Sequence, residues 1–459
     1  MPLLIRGGEI VDASQRFVGD VFCEGETITE VAPRIESFPP DTEVIDASGK
    51  FVFPGFIEPH AHVYLPVMGT EAKDTFGSAS RAALVGGTTT LFDFISPEQQ
   101  QSPLEAFAEW KQRASGQSAC DYAFHLAITR LDDAAEAEIR RIVEEGVTSF
   151  KVYLAYPGVG LDDASLYRAL RLGKDLGVVT CAHCENEALV SALQAELIAA
   201  GKTGPRSHAL SRPPQVEADG THHFLTFAEM AGAEVYLVHV SCADALQVAL
   251  AARARGVSLF IETLIQFLLL DESLTQRDDF EAAKWLVSPP LRAKAHQEAL
   301  WDGLADGSID TLATDHAPFD FKGQKDAGKE LFTCIPSGMP GIEDRINLIY
   351  TYGVRQGRID LQRMVELAST HPAQIFGLYP RKGAIEVGAD ADLVVYDPEY
   401  RGEIRAAEQE MNVDYNAFEG WSIEGRPEWV TMRGSVAVRA GKFIGEERGE
   451  LLRRCSWAR

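Results

Sequence analysis

Between residues 54 and 379, short apolar β-branched runs alternate with amphipathic helical stretches, and this alternation narrows the possible folds more than any other feature of the chain. The strand-like runs are Phe56–Glu58, Thr88–Phe94, Asp121–Ala127, Thr148–Tyr153, Val178–His183, Val235–His239, Val257–Glu262 and Ile309–Thr314. Between them lie helical segments with acidic starts and glycine stops, such as Asp163 to Gly177 and Ala243 to Gly256. Eight such alternations predict a closed parallel (β/α)8 TIM-like barrel of the α/β class. An open doubly wound sheet would need a glycine-rich phosphate loop after its first strand, and the sequence has none.

Outside this region the texture changes. Residues 1–53 read as short strands separated by glycine, proline and acidic turn residues, with no helical period. The same pattern returns in Ala391–Tyr396, Trp429–Val438 and Gly441–Ile444. The expectation is a small β-sandwich domain formed from both termini, residues 1–53 together with 380–459, beside a barrel at 54–379.

Net charge bears on partners. With 43 basic and 68 acidic residues the chain carries −25, which argues against a nucleic-acid or anionic-membrane surface. The run after Met1 is broken by Arg6, so no signal peptide is expected, and no apolar stretch is long enough to span a bilayer. Seven cysteines are few and odd in number, which suits reduced thiols in a cytoplasmic protein.

Barrel enzymes carry their chemistry at the carboxyl ends of the strands. Here the first strand runs into His60 and His62, the fourth contains Lys151, the fifth ends at His183, the sixth at His239, and the eighth leads to Asp315. Two histidines two residues apart on a strand face the same side. Taken singly, each of these is an ordinary core or surface residue. Four histidines, one aspartate and one lysine gathered on five strand ends predict a metal centre. A buried ammonium beside cations is electrostatically untenable, so Lys151 must be neutral or modified to an anion such as a carbamate.

These residues carry a family resemblance. The segments Pro54-Gly55-Phe56-Ile57-Glu58-Pro59-His60-Ala61-His62, Ser149 to Tyr156, Ala182-His183-Cys184-Glu185-Asn186, Val238-His239-Val240-Ser241 and Ala313 to Phe319 resemble the cyclic-amidohydrolase branch of the amidohydrolase superfamily. Gly86 to Thr90, Pro336 to Glu343 and Ala417 to Trp421 extend the likeness nearly end to end, closest to hydantoinases and dihydropyrimidinases. The resemblance implies two divalent metal ions, usually zinc. His60, His62 and Asp315 would hold one, His183 and His239 the other, with carbamylated Lys151 bridging them. Asp315 would also move a proton, and Tyr156 would stabilise the oxyanion. The backbone at Ser288 and Ser337 would grip the amide edge of a small cyclic amide, Ser337 standing where asparagine is more usual. Leu65, in the apolar loop Tyr64–Met68, would face the ring substituent. A homotetramer is implied as well.

The same comparison weighs against some relatives. Dihydroorotases carry an arginine two residues after the histidine pair, and Val63-Tyr64 follows here. Allantoinase stays open, because its ring is also an uncharged hydantoin. A non-catalytic scaffold related to dihydropyrimidinase would lack metal ligands, and this chain keeps every ligand type. Glu262 to Phe267 departs from the family's usual Glu-Thr-Cys-Pro-Gln-Tyr. Cys181 and Cys184 are expected to be core thiols, His222 and His223 to be structural, His316 to orient a ligand, and Glu58 to be structural.

Overall fold

The computed structural model describes residues 2–277 and 279–455. Eight parallel strands follow one another in chain order around a single sheet: Phe56–Ala61, Thr88–Ile95, Asp121–Ala127, Ser149–Tyr153, Val179–His183, Val235–Leu237, Leu259–Leu264 and Thr311–Ala313. The first and last strands meet through a parallel bridge between Ala61 and His316, and the His62 N–H donates to the His316 carbonyl at 2.7 Å. The sheet is thereby nearly closed into a TIM-like barrel, as the alternation predicts.

Helices cover the outside and stop where their sequences say. In the helix Asp163–Leu176, Asp162 caps the first turn by accepting the Ser165 N–H, and Gly177 ends it in the left-handed region at φ 64°. Two barrel strands are shorter than expected. The sixth ends at Leu237 and the eighth at Ala313, before His239 and Asp315. Both residues adopt positive φ, 43° and 50°, which turns the backbone out of the ladder and swings the side chains over the barrel mouth.

A separate nine-stranded sheet is built from both ends of the chain. Leu3–Val11, Arg16–Glu24, Thr27–Ala32, Glu43–Asp46 and Phe51–Pro54 join Leu393–Glu403, Ser422–Met432, Ser435–Arg439 and Lys442–Phe443. Its own core gathers Ile5, Ile10, Val21, Val52, Leu393 and Val395. Beyond this sheet the chain returns to the barrel. The Leu452 N–H donates to the Tyr122 carbonyl at 2.8 Å, and its side chain packs with Ile57, Phe92, Tyr236 and Phe376. No helix among the described residues is long and apolar enough to cross a membrane.

Candidate metal centre

His60 and His62 leave the first barrel strand side by side and converge on one carboxylate. His60 Nε2 lies 3.1 Å and His62 Nε2 3.0 Å from Asp315 Oδ1. The three ligand atoms fall within 4.8 Å of one another. His60 Nδ1 donates to Glu262 Oε1 at 2.7 Å, so Nε2 is the atom that would ligate a cation once it gives up its proton. Nε2 has no hydrogen-bond partner although the atom is buried. Burial alone would push His60 down, but Asp315 and Glu262 flank it and raise it to about 9. The protein thus concentrates negative potential where a cation would sit. Burial raises the Asp315 carboxyl, yet His60 and His62 outweigh it and hold the group well below its ordinary value.

A second pair faces the first across the barrel mouth. His183 Nδ1 and His239 Nε2 are 3.0 Å apart. The His183 Nε2–H donates to Glu185 Oε2 at 2.8 Å, and Glu185 is itself paired with Arg212. The His239 backbone N–H donates to Glu262 Oε1 at 2.8 Å. Burial lowers both His183 and His239, keeping them as neutral imidazoles, the form that ligates metal. The rings of His60 and His239 stand 5.5 Å apart, so the two pairs form one cluster.

Lys151 lies on the same wall, 1% exposed. Its Nζ sits over the rings of Phe94 at 4.9 Å and Tyr153 at 5.2 Å. Burial lowers its pKa from the ordinary lysine value. The donor set, two histidine pairs with a carboxylate and a buried amine, fits divalent cations of the zinc type.

All six ligand candidates line a single cavity of about 520 Å³, together with Leu65, Tyr156, Ser288 and Ser337. That volume accommodates a small ring with a side chain. Leu65 precedes a short hairpin, Pro66–Val67 with Thr70–Glu71, at the rim. Tyr156 sits at φ 74°, held by its N–H donating to Glu187 Oε2 at 2.7 Å. Burial pushes its hydroxyl up to about 12, so it remains a hydrogen-bond donor at neutral pH. The Ser288 and Ser337 hydroxyls lie 3.1 Å apart on the facing wall.

Other residues fall where their surroundings dictate. Glu58 is buried, accepts the His60 and Thr314 N–H groups at 3.1 Å each, and so ties the first strand to the eighth. His316 Nε2 contacts Asp74 Oδ2 at 2.8 Å while its carbonyl holds the backbone of His62. Cys181 and Cys184 are buried thiols. His223 pairs with Asp163 at 2.9 Å on the outer helices, away from the cavity. Sequence reasoning assigned no role to Glu262, Glu185 or Arg212. A glutamate inside the apolar run Leu259–Leu264 was the available signal, of the same kind as Lys151 in the fourth strand.

This geometry defines a metal-dependent hydrolase of the barrel type, and comparison with known proteins agrees. Residues 51–435 match the model of the amidohydrolase family, and the chain belongs to that family. Within it, the chain is 43% identical to a D-hydantoinase of Geobacillus stearothermophilus over 448 residues, 97% of this chain and 95% of that one. A solved D-hydantoinase (dihydropyrimidinase) from Thermus sp. superposes with a TM-score of 0.97 at 54% identity, covering 99% of this chain and 100% of that one. An L-hydantoinase (dihydropyrimidinase) from Arthrobacter aurescens, at 27% identity, still superposes with a TM-score of 0.89 over 98% of this chain and 99% of that one.

Proposed function

We propose that this protein hydrolyses the amide bond of a hydantoin or dihydropyrimidine ring. The carrying observation is that four histidines, Asp315 and Lys151, drawn from five strand ends, line one ring-sized cavity. The full-length likeness to hydantoinases supports the substrate class.

His60, His62 and Asp315 would hold one divalent ion, His183 and His239 a second, both of the zinc type, with Lys151 shared between them as a carbamate. Bound there, such ions supply a hydroxide at neutral pH and polarise the amide carbonyl. The remaining work falls to the chain itself. Asp315, with its carboxylate held ionised, accepts a proton and returns it to the leaving ring nitrogen. The Tyr156 hydroxyl donates to the carbonyl oxygen as negative charge develops on it. Main-chain groups at Ser288 and Ser337 orient the amide edge, and Leu65 meets the 5-substituent at the rim. All seven cysteines are unpaired, which suits a reducing cytoplasm. We also propose a homotetramer, by resemblance to the family, and sedimentation would check it.

Lys151→Ala tests the centre. Metal content and turnover should fall together, with partial rescue by small carboxylic acids that replace the lost carbamate. Unchanged metal content and turnover would remove the bridging role. A panel of dihydrouracil, 5-substituted hydantoins, allantoin and dihydroorotate tests the substrate. Preference for allantoin or dihydroorotate would overturn the hydantoin reading while leaving the metal centre intact.

A further inference from the structure

The cavity wall at Ser337 is held from behind by a lysine to which the proposed reaction gives no role. Lys325 opens the short helical turn Lys325–Gly328 and is fully buried. The turn packs hard against the segment that leads to the wall: a Cβ on Gly328 would collide with the Cys334 carbonyl. No carboxylate pairs with Lys325 among the described residues. Its Nζ instead donates to the Pro336 carbonyl oxygen at 2.8 Å. Burial without a counter-ion pulls its pKa down to about 7. An amine and an ammonium both carry N–H, so this bond survives in either form.

That bond fixes the direction of the next N–H. The cis peptides are Ser288–Pro289 and Tyr379–Pro380, so Pro336–Ser337 is trans. In a planar trans peptide the carbonyl and the following N–H point opposite ways. Ser337 and Gly338 line the cavity, whereas Lys325 and Pro336 do not. With the Pro336 oxygen drawn back to Lys325, the Ser337 N–H is turned towards the cavity. No protein acceptor meets that N–H among the described residues. The next peptide is held in the same sense. The Gly338 N–H donates to the carbonyl of Leu286 at 2.8 Å, and Leu286 is buried with Phe332 and Ile335 rather than lining the cavity. The Ser337 carbonyl is thereby turned towards the cavity as well. One donor and one acceptor of a single residue face the same space, which matches the C=O and N–H of an amide edge.

The scissile carbonyl of a bound hydantoin is taken by the ions and Tyr156, so the acceptor left for Ser337 is the other ring carbonyl. We propose that Lys325 is a positioning residue: by holding the Pro336 carbonyl behind the wall, it aims the Ser337 N–H at the ring carbonyl that is not hydrolysed. Lys325 itself touches neither substrate nor metal. The proposal deepens the hydantoin reading given above and rests on it.

The test uses the metal-loaded enzyme and two rings: a 5-substituted hydantoin, and its 2-thio analogue, in which sulfur, a weak acceptor, replaces the oxygen of the carbonyl that is not hydrolysed. Lys325→Met removes the donor and keeps the length of the side chain. For the hydantoin it should raise KM about tenfold, the worth of one well-placed hydrogen bond, with kcat and bound metal near wild type. For the thio analogue KM should rise about twofold or less, because little of that bond is there to lose. An equal rise on both rings would show that Lys325 supports the fold at large and would overturn the proposal. So would a fall in kcat with KM unchanged. If Lys325→Met does not fold, Lys325→Gln takes its place. Its amide keeps a polar group in the site but is one bond shorter and falls short of Pro336, so the same difference between the rings is expected. If the wild-type enzyme hydrolyses neither ring, the hydantoin reading falls and this proposal with it. If it hydrolyses the hydantoin and the variant keeps the wild-type KM, this proposal alone falls.

Discussion

Glu262 shows how one side chain can organise two ligand pairs. Its Oε1 accepts from His60 Nδ1 at 2.7 Å and from the His239 backbone N–H at 2.8 Å, and its Oε2 accepts the Tyr236 hydroxyl at 2.8 Å. An acceptor-only group satisfies all three donors at once. A glutamine of the same shape cannot, because one of its ends becomes a donor. Glu262→Gln should therefore weaken metal retention about 10- to 100-fold, at both positions, while the fold persists. Metal release to a chelator, followed alongside circular dichroism, checks this. Wild-type retention would mean that the ligands are oriented without it. Asp315, Lys151 and Glu262 are each legible in sequence as a charged residue in or just past an apolar strand run. What Glu262 holds is not, since its partner His60 lies 202 residues away in the chain.

At the scale of elements, helix placement sets ligand placement. The helix Pro214–Ala231 carries Gly220 against the backbone just beyond His183. A Cβ on Gly220 would lie 2.7 Å from the Cys184 carbonyl carbon and oxygen and 2.9 Å from the Glu185 nitrogen. Glycine to alanine inside a helix normally stabilises by about 1 kcal/mol. Here the close approach should reverse the sign, because backbone atoms cannot step aside as a side chain does. Gly220→Ala should lower Tm by several degrees, about 4 °C or less per kcal/mol for a chain of this size, and reduce metal bound at the His183 pair. A Tm equal to or above wild type would show that the helix can shift without cost. Helix stops such as Gly177 were readable locally, whereas the early ends of the sixth and eighth strands were not. Nothing in Val238-His239 or Thr314-Asp315 announces a positive φ; the site imposes it.

The whole molecule adds a constraint that neither the barrel nor the terminal sheet contains alone. The last described residues return from the sheet to the barrel, where Leu452 is 2% exposed among Phe92, Tyr236 and Phe376. Leu452→Ala should cost about 2–5 kcal/mol, read as a lower unfolding midpoint, with kcat little changed because the active cavity opens elsewhere. A midpoint equal to wild type would mean that the tail lies on the barrel without supporting it. Nearby, Lys382 is buried against Asp121 at 2.7 Å, Asp390 at 2.9 Å and Asp392 at 2.6 Å, joining a barrel strand to the approach to the second sheet. Residue order alone determined the alternation that makes a barrel, the glycine and acidic signals that bound its helices, and the ligand types at its strand ends. These are properties of segments a few residues long, set by side-chain period and backbone preference. Tertiary structure alone decided that Glu262 serves both histidine pairs, that His239 and Asp315 turn inward past their strands, that Lys325 holds the Pro336 carbonyl, and that the tail packs against the barrel. Each of these depends on atoms brought together by closing the sheet, and separation along the chain carries no record of that distance.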